Sequence, residues 1–399
     1  MALPEDVIYE IFSWLPAKSI FKFKSCSKSL SSFTSNANFA FKQAQNMMLK
    51  GDCSLFIEGI FISREYPHTQ RQKTEMHRLP GNKTSSSLGI PKAFLQFLDE
   101  RSIRIVASSN GLLLCLILPE LVLFICNPAT HSCFTIASPA CLLLKHCYYR
   151  VLEFAFVWNH NTEEFQLIYF DKNPRQGAST EFVCKVYMPK EVVWKERGSL
   201  SMDDGESLIY GSHVFYKGNI YFASYRDNSD HTEKYHYMSS YNFETGVTKR
   251  VNFPEELAKI GYELSTYKYE ICIFKWGKAG TSNAESICVV HLLGRTVFTI
   301  WVLTDLESAS WSMFLSSSSL DEMGLEIDSY VDEFTIMNGD SLVIVLRSGD
   351  VYVYDLIGAR GKRLEKIGEL EVNEYMSLIP YSNTLRSCGA GAKGFVYET

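Results

Sequence analysis

After Lys50 this chain has no long amphipathic helical pattern. From Ile103 on, short apolar runs alternate with turns at intervals of about ten residues. Such spacing predicts antiparallel sheet and disfavours the βαβ units of Rossmann and barrel enzymes. Asn110-Gly111, a strong hairpin signal, joins runs at 103–107 and 112–118. Asn127-Pro128-Ala129-Thr130 follows the run at 121–126. Lys217-Gly218-Asn219, Glu244-Thr245-Gly246 and Arg347-Ser348-Gly349-Asp350 each sit between two further strand-like runs. Short helical patterns interrupt only at 93–98 and 257–260.

So much sheet is too large for one sandwich. A loose repeat of ~40–50 residues predicts a β-propeller of roughly seven blades, with six or eight left open. The run 54–62 adds a strand before this region. Residues 63–92 hold six basic and two acidic residues with Gly, Pro and Ser, and read as a polar loop or linker.

The first 49 residues differ in kind. Pro4 suits a helix start, and Glu5 and Asp6 complement the positive end of the helix dipole. Val7, Ile8, Ile11, Phe12 and Leu15 recur at helical spacing until Pro16. A second helical stretch places Ile20, Phe23 and Cys26 on one face, and Asn38 is the expected cap of a later helix. Apolar positions lie on nearly every side of these short helices. About fifty residues cannot bury them all, so the surplus asks for a partner surface or for packing on the next domain.

Leu3-Pro4-x-Asp6-Val7-Ile8-x-Glu10-Ile11-Phe12-x-x-Leu15-Pro16-x-Lys18-Ser19-Ile20-x-x-Phe23-Lys24 closely resembles the F-box of plant F-box proteins. Ser108-Ser109-Asn110-Gly111-Leu112-Leu113-Leu114-Cys115 and Cys126-Asn127-Pro128-Ala129-Thr130 resemble the F-box-associated region of the same proteins. The resemblance implies a small all-α, three-helix F-box module at 1–49, then an all-β, kelch-like propeller over 50–399. It also implies a substrate-recognition adaptor of an SCF-type ubiquitin ligase. The helices would dock a Skp-family adaptor, and through it a cullin–RING ligase. The propeller would hold an unidentified target protein. Carried over by position, Leu3, Pro4, Val7, Ile8, Ile11, Leu15, Pro16, Ile20 and Phe23 are the contact or framework residues. Where the family usually has Val-Cys-Lys-x-Trp, this chain has Cys26-Ser27-Lys28-Ser29-Leu30, which loses a large aromatic.

The remaining features argue for binding rather than chemistry. A net charge of −6 gives no overall basic field for nucleic acid. The apolar stretch 112–126 is broken by Pro119 and Glu120 and reads as a hairpin, not a membrane span. Eleven scattered Cys without a secretory leader point to reduced thiols in the cytoplasm or nucleus, and the sequon at Asn82 is expected to stay unmodified. His131, Cys133, Cys141, His146 and Cys147 lack zinc-knuckle spacing. Gly389-x-Gly391-x-x-Gly394 matches a dinucleotide fingerprint in letters but has no helix after it. Asp321, Glu322, Glu326, Asp328, Asp332 and Glu333 read as a solvated acidic loop. No cofactor and no catalytic residue is expected. The rival readings are a kelch-type propeller enzyme and an F-box scaffold acting outside the ligase.

Overall fold

The computed structural model describes residues 3–34, 36–50, 53–62, 70–78, 90, 92–117, 120–139, 154–159, 164–174, 180–203, 205–227, 233–242, 244–261, 271–277, 285–325, 330–357, 363–370, 374–389 and 391–394. Four helices open the chain: α1 (Glu5–Ser13), α2 (Ala17–Lys24), α3 (Lys28–Thr34) and α4 (Ala37–Lys50). Pro4 and Pro16 occupy the cap positions of α1 and α2 in extended backbone. Asn36, not Asn38, caps α4: its Oδ1 accepts the Asn38 N–H at 2.8 Å.

Strands β1 (Cys53–Ile62) and β2 (Gln70–Arg78) follow, then helix α5 (Lys92–Glu100). The first full sheet is β3 (Ile103–Ser109), β4 (Leu112–Ile117), β5 (Val122–Asn127) and β6 (Ser132–Ile136). The second is β7 (Phe154–Asn159), β8 (Glu164–Pro174), β9 (Thr180–Met188) and β10 (Val193–Met202). The third comprises β11 (Glu206–Tyr216), β12 (Asn219–Asp227), β13 (Glu233–Tyr241), β14 (Thr248–Asn252) and the short β15 (Lys259–Gly261). The fourth is β16 (Ile271–Trp276), β17 (Ser286–Leu293), β18 (Val297–Asp305) and β19 (Ser310–Ser319). The fifth is β20 (Val331–Met337), β21 (Ser341–Leu346), β22 (Asp350–Asp355) and β23 (Glu365–Glu369). A sixth sheet joins the two ends of the chain, with β24 (Glu374–Ser382) pairing β1 and β1 pairing β2. Finally β25 (Lys393–Gly394) adds to the edge of β6.

Six apolar clusters lie between these six sheets, one at each junction. Leu112, Leu114 and Leu116 of the first sheet meet Phe154, Phe156 and Tyr169 of the second. Ile168 and Phe182 meet Leu208 and Phe222 across the next junction. Tyr221 and Met238 meet Ile273 and Val289; Cys288 and Ile300 meet Leu342 and Ile344; Val343 and Val345 meet Leu55 and Ile57. Phe56 and Tyr381 meet Ile103, Leu113 and Phe124, which returns to the first sheet and closes the ring. The propeller expected from the repeats is therefore present, and the described residues show six sheets, a number the repeat length left open.

This arrangement explains the unbroken apolar run of β4. Leu112, Leu114 and Leu116 face one neighbouring sheet while Leu113 and Cys115 face the other, so both sides of the strand are dry. Alternation survives only where one face meets water. The Asn110-Gly111 hairpin is also as predicted, with positive φ at both residues (52° and 85°).

One expectation is corrected. The segment 63–92 is not wholly a loop, because it contains β2. Among the described residues that strand is an edge, paired to β1. Its sequence, QRQKTEMHR, has a single apolar residue and no alternation to read. The sequon at Asn82 lies outside the described residues.

Candidate functional site

The N-terminal helices divide their apolar residues between two surfaces. Ala17, Ile20 and Phe39 point inward, with Ile20 only 1% exposed. Tyr9, Phe12 and Leu15 pack around them. Tyr9 meets Phe39 edge to face at 5.2 Å, and Phe12 meets Phe23 in the same way at 5.2 Å. Burial, assisted by the Glu10 carboxylate, pushes the Tyr9 hydroxyl up from its ordinary range. Asn46 of α4 donates to the Ser13 Oγ at 2.7 Å in a buried position, tying the last turn of α1 to α4.

The second surface faces water. Leu3, Val7 and Ile11 are 59, 39 and 49% exposed, and Trp14 continues the same stripe one turn on. On α2, Phe21 and Phe23 are also exposed, on different sides of the helix, and Phe23 adjoins α1 through its contact with Phe12. Glu5, Asp6 and Glu10 are exposed around the stripe on α1, and Lys18, Lys22 and Lys28 are exposed on α2 and α3. Trp14 is held in place, since its Nε1–H donates to Glu10 Oε1 at 3.1 Å. A folded protein exposes single apolar side chains freely, but a contiguous group with a charged rim marks an interaction surface.

The nine residues carried over from the sequence therefore separate. Leu3, Pro4, Val7, Ile11 and Phe23 are exposed; Ile8, Leu15 and Pro16 are half-buried; Ile20 is core. Trp14 and Phe21 were absent from the sequence-derived set. The helical offset of Trp14 from Ile11 was the available signal for the first.

The other candidates disperse. Cys141, His146 and Cys147 lie outside the described residues, and His131 and Cys133 stand on the β5–β6 turn and β6. Among the described residues no group of three or more His, Cys, Asp or Glu is placed to hold a metal ion. Cys115 and Cys126 bring their Sγ atoms to 3.8 Å, and burial pushes the Cys126 thiol up. That shift makes it a poor nucleophile. Gly389 and Gly391 form the last turn before β25, where the Ala392 N–H donates to the Gly389 carbonyl. Of the acidic group, Asp332 is paired with Arg295 at 2.9 Å, Asp321 and Glu322 are exposed, and Glu326 and Asp328 lie outside the described residues.

Comparison with known proteins covers both parts of the chain. Residues 1–42 match the family model of the F-box domain, and residues 69–385 match that of the F-box associated beta propeller domain. Three Arabidopsis thaliana proteins are similar over most of their length. F-box protein At5g49610 is 23% identical over 79% of this chain and 79% of its own. Putative F-box protein At3g23260 is 22% identical over 79% and 78%, and putative F-box protein At3g49520 is 24% identical over 84% and 80%. Among solved structures, Pyrococcus horikoshii acylaminoacyl peptidase aligns with a TM-score of 0.39 at 10% identity, over 79% of this chain and 44% of that one. This chain thus spans less than half of the peptidase, and a likeness at that level bears on nothing this chain does.

Proposed function

We propose, from the premise that this chain belongs to the F-box proteins carrying an F-box-associated β-propeller, that it is the substrate-recognition subunit of an SCF-type ubiquitin ligase. In this reading the stripe Leu3, Val7, Ile11 and Trp14, with Phe21 and Phe23, docks a Skp-family adaptor. The propeller holds a target protein. The chain supplies no reacting group. It raises the effective concentration of the target beside a ubiquitin-charged enzyme, which the adaptor brings through a cullin–RING assembly. The work is done in the cytoplasm or nucleus, where thiols such as those of the first sheet stay reduced.

The observation that carries this reading is the exposed apolar stripe on a module whose inward face is already filled. A surface that only packed on the propeller would be buried by it. Co-purification of the full chain with a recombinant Skp-family adaptor tests the proposal. Binding is expected for the native chain and lost in Val7→Asp with Ile11→Asp. Equal recovery of the adaptor by both proteins would sink it.

A further inference from the structure

The inward face of the docking module is not completed by the module itself. Two residues of the propeller domain finish the core around Ala17, Ile20 and Phe39: Ala129 in the β5–β6 turn, and Leu385, 8% exposed, just beyond β24. Gln43 of α4 is fully buried between the two parts. Its Nε2 donates to the Leu15 carbonyl at the α1–α2 junction at 3.2 Å, and its Oε1 accepts the Leu385 N–H at 3.0 Å. The next residue, Arg386, places its guanidinium 5.0 Å from the Phe41 ring of α4 and 4.1 Å from the Trp158 ring of the second sheet.

The segment that makes these contacts is neither helix nor strand, so its path depends on what holds it. At one end Ser382 is paired with Cys53 in the sheet that closes the ring. Beyond it, Thr384 Oγ1 donates to the Asn110 carbonyl at 2.8 Å, and Asn127 Nδ2 donates to the Thr384 and Arg386 carbonyls. All of these anchors lie where the sixth sheet meets the first, the junction at which the C-terminal segment closes the ring. The helices they support are short, 7 to 14 residues, and helices of that length are marginal without tertiary packing.

We infer that residues 383–388 couple closure of the propeller to adaptor docking, so that only a chain with a closed ring presents a competent docking face. If Leu385 withdraws, Ile20 and Phe39 lose their cover, and Gln43 loses the N–H that holds its carboxamide against the Leu15 carbonyl. α2, which carries Phe21 and Phe23, is then no longer fixed relative to α1, which carries Val7 and Ile11. A copy with an open or clipped ring would be kept out of the ligase. The inference rests on the adaptor reading for its consequence but not for its structural content.

The experiment uses the full chain and two readouts: hydrogen exchange resolved to α1–α4 and to the ring strands, and affinity for a purified Skp-family adaptor. Val345→Asp disrupts the junction between the fifth and sixth sheets, away from the helices. It is expected to lower amide protection in α4 by about tenfold or more, together with that of β1 and β24. Gln43→Ala acts from the helix side. It is expected to leave β17 and β21 protected while reducing α4 protection and weakening adaptor binding by about tenfold or more. The inference is overturned if α4 stays protected while β1 and β24 exchange freely in Val345→Asp, or if Gln43→Ala leaves α4 protection and adaptor affinity within about twofold of native. A native chain that binds no adaptor removes the ligase reading alone, because the exchange data still decide the coupling.

Discussion

Asn127 donates its side-chain amide to the main-chain carbonyl of Arg386 at 2.7 Å, joining positions 259 residues apart. The same Nδ2 reaches the Thr384 carbonyl at 2.9 Å, while Oδ1 accepts the Ala129 N–H at 2.9 Å. One buried carboxamide therefore shapes its own turn and fixes the path of the C-terminal segment. Asn127→Ala removes both of these buried hydrogen bonds. Each such loss costs about 1–3 kcal/mol, so a decrease of about 2–4 kcal/mol is expected in equilibrium denaturation.

Two isoleucines of the module should respond in opposite ways. Ile11→Asp changes a half-exposed side chain and should shift stability by no more than ~0.5 kcal/mol, while reducing adaptor binding by at least about tenfold. Ile20→Ala opens a cavity in the core and should cost about 2–4 kcal/mol. Thermal melts and adaptor titrations on both variants separate docking from folding. Equal effects of the two on stability would contradict the division of surfaces described above.

Leu30 is half-buried on α3 where the family usually carries a large aromatic. Leu30→Trp restores that area. If the position faces the adaptor, burial of the larger ring is worth about 1–3 kcal/mol, seen as tighter binding by calorimetry with a native melting temperature. No gain in affinity would place Leu30 outside the interface.

Glu58 sets a pH dependence for ring closure. Its carboxyl lies in β1 of the closing sheet, 3% exposed, accepts the Ile105 N–H of β3 at 3.0 Å and sits 3.4 Å from Arg104 Nε. Burial outweighs both contacts and pushes it up to about 7 from 4.5, and Asp99 acts in the same direction. The unfolded chain releases this proton near 4.5 and the folded chain keeps it until about 7. The stabilisation is thus full below 4.5, falls as pH rises through that window, and levels off above it. Glu58→Gln removes the slope, on the order of 3 kcal/mol. The buried His236 and His291, pushed down to about 4 by burial, slope the other way below 6.5. Denaturation curves of both proteins at pH 5 to 8 are therefore compared as a difference, and parallel curves would contradict the assignment.

Gly111 follows the turn residue Asn110 with φ +85°, and a Cβ there would come within 2.1 Å of Thr384 Oγ1. Gly111→Ala meets both a strained backbone and the C-terminal segment. A loss of about 2–4 kcal/mol is expected in denaturant titrations, with β3, β4 and residues 383–388 the first to lose exchange protection.

Features written in local chemistry were legible beforehand. Asn110-Gly111 announces its turn by backbone preference alone, and Val7, Ile8 and Ile11 announce a helix by spacing. β2 was not legible, because an edge strand of polar residues has no alternation to display. Leu385 and Arg386 were equally hidden. Their role comes from where β24 delivers them, and nothing in Asn383-Thr384-Leu385-Arg386 signals contact with a helix some 340 positions earlier. The division of the site followed the same rule. Periodicity finds Ile11 and Ile20 alike, and only packing tells the exposed one from the buried one.

Pairing of β1 with β24 also has a consequence in time. Leu55 meets Pro380 in that sheet, and roughly 320 residues must be made between them. At ribosomal rates of about 5–20 residues per second, β1 waits roughly 16–65 s for its partner. During that interval Leu55, Phe56 and Ile57 can pair with β2 but lack β24 on their other side. The nascent chain must pass through a stage in which β1 can pair with β2 on one side while its other edge stays open, and its demand for chaperones should be greatest until β24 emerges.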